Sequence, residues 1–240
     1  MKLKDIYKEL DIISPFELQE KWDNSGLQVG SYNDEVNSVV LSMDIDEELV
    51  NSIKENSLVI THHPLIFSPL KQINYDQFPS SLIQKMIKKN ISNIAMHTNF
   101  DKTHLNRYVL EEILGFKISK EDDFTLYAEV DETLSSLSKK VKNLLNIENL
   151  KVVSVKDNIK TIALCTGSGA SLLENIDADC FLTGDIKYHD AMLAVAKNIS
   201  MIDIGHYESE CFFAQILQTP LKNLGIDAIM ATTKNPFKFL

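Results

Sequence analysis

An α/β fold with a mainly parallel sheet is what this sequence predicts, on three observations. Short apolar runs of strand length alternate with amphipathic helical patterns along the whole chain. Hydrophobic residues make up 44% and charged residues 24% of 240, an ordinary balance for a globular protein that buries a proper core. The apolar runs end in polar, histidine-bearing loops, as strands of an open α/β sheet do where ligands bind.

Taken in order, residues 3–10 of "MKLKDIYKELDII" read as a helix. The same stretch lacks the continuous apolar core of a signal peptide, so a cytoplasmic protein is expected. No run of 18 apolar residues offers a transmembrane helix. "VNSVVLSMDI" (36–45) reads as a strand and "DEELVNSIKEN" (46–56) as the helix after it. "SLVITHHP" (57–64) is a strand ending at two histidines, "SSLIQKMIKKN" (80–90) a helix, and "SNIAMHTNFD" (92–101) a strand with a loop. "HLNRYVLEEILG" (104–115) is a helix stopped by Gly115. The charged stretch 117–123, "KISKEDD", is the expected boundary, giving subdomains 1–116 and 117–240. Beyond it come strands at "TLYAEVD", "LKVVSV", "TIALCTG", "DCFLTGD", "SMIDIGH" and "IDAIMATT". Helices at "ETLSSLSKKVKNLL", "YHDAMLAVAKN" and "ESECFFAQILQTPL" separate them.

Composition removes several function classes. Lys plus Arg total 24 against 34 Asp plus Glu, a net charge of −10, so nucleic acid is not an expected partner. The basic stretch "SKKVKN" (138–143) reads as the solvated face of a helix. Cys165, Cys180 and Cys211 are odd in number, far apart and in apolar settings, which points to buried, inert thiols and not to disulfides or a thiolate zinc site.

Chemistry concentrates in three segments. In "THHP", adjacent strand residues would normally face opposite ways, so His62 and His63 can meet one ligand only if the strand ends and the chain bends there. Pro64 favours that bend; a solvated pair at a strand end is the alternative. "HTNFD" sets Asp101 four residues after His97, either as an anionic oxygen ligand or as a helix cap. "GHYESE" sets His206 and Glu210 at i and i+4, one turn apart on one helix face. Three imidazoles and two carboxylates exceed what one four-coordinate zinc needs and suit two divalent ions sharing a bridging carboxylate. A thiolate-free set of this kind accepts Zn, Fe, Mn, Co or Ni.

"EKWDNSGLQVG" (20–30), "ITHHPLIF", "HTNFD", "TGSGAS", "TGDIKYHD" and "GHYESE" together resemble the GTP cyclohydrolase 1 type 2 homologue family, the Nif-three-like proteins, from the first helix to about Leu217. The resemblance implies a three-layer α/β/α fold of two similar subdomains, with a dinuclear metal site in the cleft between them. It implies His62, His63, Asp101, His206 and Glu210 as ligands, with Glu210 as the bridge, and a ring-shaped homohexamer. Longer relatives carry an inserted third domain, for which residues 115–153 leave no room.

The other motifs keep two readings each. In "WDNSGLQVG", Trp22 either stacks on a ligand or belongs to the core. Gly167, Ser168 and Gly169 in "CTGSGAS" could offer backbone N–H groups to an anion. Lys187 and His189 of "TGDIKYHD" could bind substrate or join a structural ion network. His97 is the candidate to orient a ligand or act as a general acid or base, and His104 is expected at the surface. The function expected is metal-dependent hydrolysis of a nucleotide, phosphoester or heterocycle. Non-catalytic metal handling or regulation is the alternative, and a DNA- or protein-binding adaptor is disfavoured by the charge.

Overall fold

In the computed structural model, residues 1–232 and 234–238 are described. They divide by contacts into two compact units. The first comprises Met1–Phe100 and Phe212–Lys234; the second comprises Asp101–Cys211 with residues from 235 onward. The expected α/β class holds, with one sheet per unit.

The first unit opens with helix α1 (Leu3–Ile13), which buries Leu3, Ile6 and Leu10 at helical spacing. Strand β1 (Gly26–Val29) follows, then β2 (Ser38–Ser42), helix α2 (Glu47–Ser52) and strand β3 (Ser57–Thr61). Helix α3 (Ser80–Lys88), strand β4 (Ser92–Ala95) and the single turn α4 (Thr98–Phe100) complete the N-terminal run. The sheet order is β1-β4-β3-β2, with a last strand, Ala228–Met230, on the outer side of β2. Every pairing but β1 with β4 is parallel. Strands β3 and β4 are buried along their whole length, as central strands covered on both faces must be. Buried Asn93 is held by its side-chain amide, which donates to Val59 O at 3.0 Å and Thr61 Oγ1 at 3.1 Å.

The second unit starts at Asp101, just before the expected 104–115 helix, and the chain there is wound in two wide π-type turns, Asp101–Leu105 and Tyr108–Ile113. Strands β5 (Ile118–Asp122) and β6 (Thr125–Thr133), helix α5 (Leu134–Leu144), and strands β7 (Lys151–Val153), β8 (Asn158–Leu164) and β9 (Cys180–Thr183) follow. Helix α6 (Tyr188–Lys197), strand β10 (Ser200–Asp203) and helix α7 (His206–Glu210) end the unit. Its sheet runs β5-β6-β8-β9-β10-β7. Only β8–β9 and β9–β10 are parallel, so this sheet is mixed where a mainly parallel one was expected. The charged 117–123 stretch contributes one of the three antiparallel pairings: it is an edge strand hairpinned onto β6, while β6–β8 and β10–β7 supply the other two.

Contacts divide the chain at 100/101 and 211/212, not at 116/117. The expected 208–221 helix is broken into α7 and α8 (Phe213–Asn223), and α8 then buries Phe213, Leu217 and Leu221 in the first unit. The final strand β11 (Ala228–Met230) pairs in parallel with β2, which returns the C-terminal segment to the sheet formed first. Among the described residues no helix is long and apolar enough to cross a membrane.

Candidate metal centre

The double histidine sits where β3 stops. In a regular parallel strand, successive N–H groups turn to opposite neighbours. Here the N–H groups of both His62 and His63 donate toward the end of β2, to Ser42 O at 3.3 Å and Met43 O at 3.1 Å. The alternation is lost, the chain bends, and both rings come to one side with centroids 4.9 Å apart. Thr61 Oγ1, itself held by Asn93, donates to His63 O at 2.9 Å and fixes the bend.

Each imidazole here has an acceptor behind its Nδ1. His62, fully buried, donates from Nδ1 to the Met96 carbonyl at 3.0 Å. His63 pairs with Asp44 at 2.8 Å and His97 with Asp23 at 2.7 Å. A carbonyl or carboxylate can only accept, so Nδ1 carries a proton, and it is the neutral ring so held that presents its lone pair at Nε2. That is how metal-binding histidines are held. Ligating atoms of His62, His63 and His97 lie within 4.8 Å of one another, a group able to hold a cation.

Asp23 is the hub of this side. Its carboxylate accepts from His97, from Thr98 N–H and Oγ1 at 3.1 and 2.6 Å, and from Ser25 Oγ at 2.9 Å. Burial alone would raise its pKa. The bonds from His97 and Thr98 outweigh that and hold the carboxyl well below the usual carboxylate range.

In the second unit, α7 follows Gly205, whose φ is +72°. His206 donates from Nδ1 to Asp185 at 2.7 Å, and its Nε2 lies 3.0 Å from Glu210 Oε2 across one helical turn. Glu210 is buried, and so is Asp101 at the start of the first π-type turn; oxygens of the two carboxylates lie within 4.8 Å of each other. Two buried carboxylates this close repel unless a cation or proton stands by them. Gly167, at φ +61°, makes the space: a Cβ there would stand 2.0 Å from Glu210 Oε1 and 3.6 Å from His206 Nε2. The three imidazoles of the first unit could therefore hold a metal ion, and in the second unit Glu210 lies close to both His206 and Asp101. The thiols do not compete. Burial, reinforced at Cys165 by Asp101 and Glu210, pushes all three upward, Cys211 to about 11.

Three expectations change. Trp22 is 60% exposed and not a core residue. The N–H groups of Gly167 and Gly169 donate to Ser209 Oγ at 3.0 Å and Thr183 Oγ1 at 2.9 Å, so they are not offered to an anion, while Ser168 is exposed. His104 is half-buried beside Thr103, and burial lowers its pKa. Lys187 and His189 are exposed where α6 begins; Asp190 accepts the Lys187 N–H at 2.9 Å and closes the helix end. The "SKKVKN" lysines lie along α5, where Lys139 and Lys142 are exposed as expected. Asp44 and Asp23 were missed as partners of His63 and His97; the one available signal was an acid just past a strand and another just before a glycine turn.

The family profile described as Duf34/NIF3 (NGG1p interacting factor 3) matches residues 1–236. A Campylobacter jejuni protein named GTP cyclohydrolase 1 type 2 homolog is 51% identical over the full length of both chains. A Helicobacter pylori protein named GTP cyclohydrolase 1 type 2 is 42% identical over 99% of each. Among solved structures, a Staphylococcus aureus hypothetical protein superposes with a TM-score of 0.88 at 29% identity, covering 100% of this chain and 99% of its own. A full-length profile match and a full-length relative at 51% identity agree: this chain belongs to the Duf34/NIF3 family.

Proposed function

We propose that the chain is a hydrolase using two divalent ions, held by His62, His63, Asp101, His206 and Glu210 with Glu210 as the bridge. The observation that carries this reading is the shared posture of the imidazoles. His62, His63, His97 and His206 each have Nδ1 tied to a carbonyl or carboxylate, a device that aims Nε2 and fixes its tautomer. When bound, such ions lower the pKa of a water toward neutrality and polarise a substrate oxygen. The chain's own residues do the rest. Asp44 and Asp185 orient His63 and His206. His97, braced by Asp23, is placed to hold or pass a proton at its Nε2. Names of the relatives suggest GTP as a first substrate to try, beside phosphoesters and small heterocycles.

The test is elemental analysis of protein purified without chelator, followed by a substrate screen. Two ions per chain are expected, with loss of at least one in Glu210→Gln. Turnover should exceed that of a His63→Ala control. A metal-free protein, or a Glu210→Gln variant with unchanged metal content, would sink the proposal. Self-assembly into a homohexamer belongs to the same reading and is measured by light scattering.

A further inference from the structure

Trp22 is the chain's single tryptophan, and it stands 60% exposed beside Phe67, itself 50% exposed. Folding normally hides such rings, since each carries a large apolar area. Here both are fixed in place outside the core. Their centroids are 6.1 Å apart at 58°. Each also meets His97 near a right angle, Trp22 at 6.4 Å and Phe67 at 6.2 Å. His97 in turn lies 5.2 Å from the His62 ring and 5.5 Å from that of His63.

Local hydrogen bonds keep the two rings from wandering. Asn24 Nδ2 donates to Ile66 O at 2.6 Å, and the Ile66 N–H donates to Gln28 Oε1 at 3.2 Å. Gln28 Nε2 closes the clasp on Asn24 O at 2.5 Å. Trp22 precedes Asp23, the hub that holds His97, and Phe67 follows the clasped Ile66. The clasp thus latches the loop of Trp22 to the loop of Phe67, and the ordering cost of placing both rings is met before any ligand arrives.

We infer that Trp22 and Phe67 form a stacking platform for a planar heterocyclic ring of the substrate, set beside the imidazoles of His62, His63 and His97. The inference rests on the hydrolase reading and narrows its substrate class. Aromatic side chains hold flat π-systems by stacking, whereas a non-planar sugar phosphate gains little from a ring face.

The single tryptophan is its own reporter. The full-length protein is titrated with guanosine and pterin as planar probes, and with ribose 5-phosphate and inorganic phosphate as non-planar ones. Planar probes should change Trp22 emission saturably and the others should not. Phe67→Leu should weaken planar binding roughly tenfold. Trp22→Leu, checked for folding by circular dichroism and followed by calorimetry, should weaken it at least as much. Equal response to planar and non-planar probes, or unchanged affinity in both variants, overturns the platform. So does a tryptophan emission that shifts with protein concentration alone, since a second copy would then cover the rings. The titration is repeated after chelation. Ring binding by a chain that never takes up metal keeps the platform and sinks the hydrolase reading. Metal uptake with no ring binding does the reverse.

Discussion

At the scale of single residues, the candidate centre is a matter of what stands behind each ligand. His63 is held by Asp44, 19 positions away, and His97 by Asp23, 74 positions away. Gly167 has the opposite role, supplying emptiness. Its φ of +61° already disfavours a side chain, and a Cβ would overlap Glu210 Oε1. Gly167→Ala is therefore expected to cost about 1–3 kcal/mol of stability in urea unfolding of the chelated protein. It should also lower metal content by displacing the Glu210 carboxylate. A variant as stable as the parent, with full metal content, would show that the space is not needed.

At the scale of elements, short helices depend on their ends. Asp46 caps α2, its Oδ1 accepting the Leu49 N–H at 2.7 Å. Asp46→Ala should destabilise the protein by about 1 kcal/mol, read from the shift in denaturation midpoint. Asp179 stitches β8 to β9 by accepting from the N–H groups of Lys160 and Thr161 at 2.8 and 3.1 Å and from Lys156 Nζ at 2.6 Å. Partial burial works against its charge. The Lys156 bond and the two amides prevail and lower its pKa below the ordinary 3.8. A depressed folded pKa means stability that is present above the ordinary value and lost as pH falls through the folded one. Asp179→Asn should therefore melt lower than the parent near neutrality, with the gap closing below about pH 4. A gap that persists undiminished at low pH would remove the carboxylate's charge from the explanation. At this scale the sequence was readable wherever apolar period and length agreed: α1, α3, α5 and the buried β3 and β4 are all where the pattern puts them. It was unreadable at β5, because a charged edge strand and a charged linker have the same composition.

At the scale of the whole molecule, the proposed ligands come from segments separated by well over a hundred residues, so metal binding and folding should be linked. Protein loaded with its metal is expected to melt several degrees above the chelated form, the difference growing with free metal concentration as mass action requires. Re-addition of metal should restore it; identical melting curves would remove any linkage. The same scale explains why the chain's division was misplaced by pattern alone. The last helix and strand look like a continuation of the second half, yet α8 packs against and β11 pairs with β2 of the first unit. Pairing partners for a parallel strand are chosen by register and burial of a distant edge, which no local window contains.

The sequence alone determined the fold class, the positions of the main helices and strands, and the three polar segments that carry His62, His63, Asp101, His206 and Glu210. These are local properties: hydrophobic period, turn residues, and chemistry set a few positions apart. Only the tertiary structure decided that consecutive histidines bend to one side, that Asp44, Asp23 and Asp185 stand behind the imidazoles, and that Trp22 faces solvent. Those outcomes depend on which distant backbone accepts each hydrogen bond and on where the core runs out of room, and both are settled only when the sheets assemble.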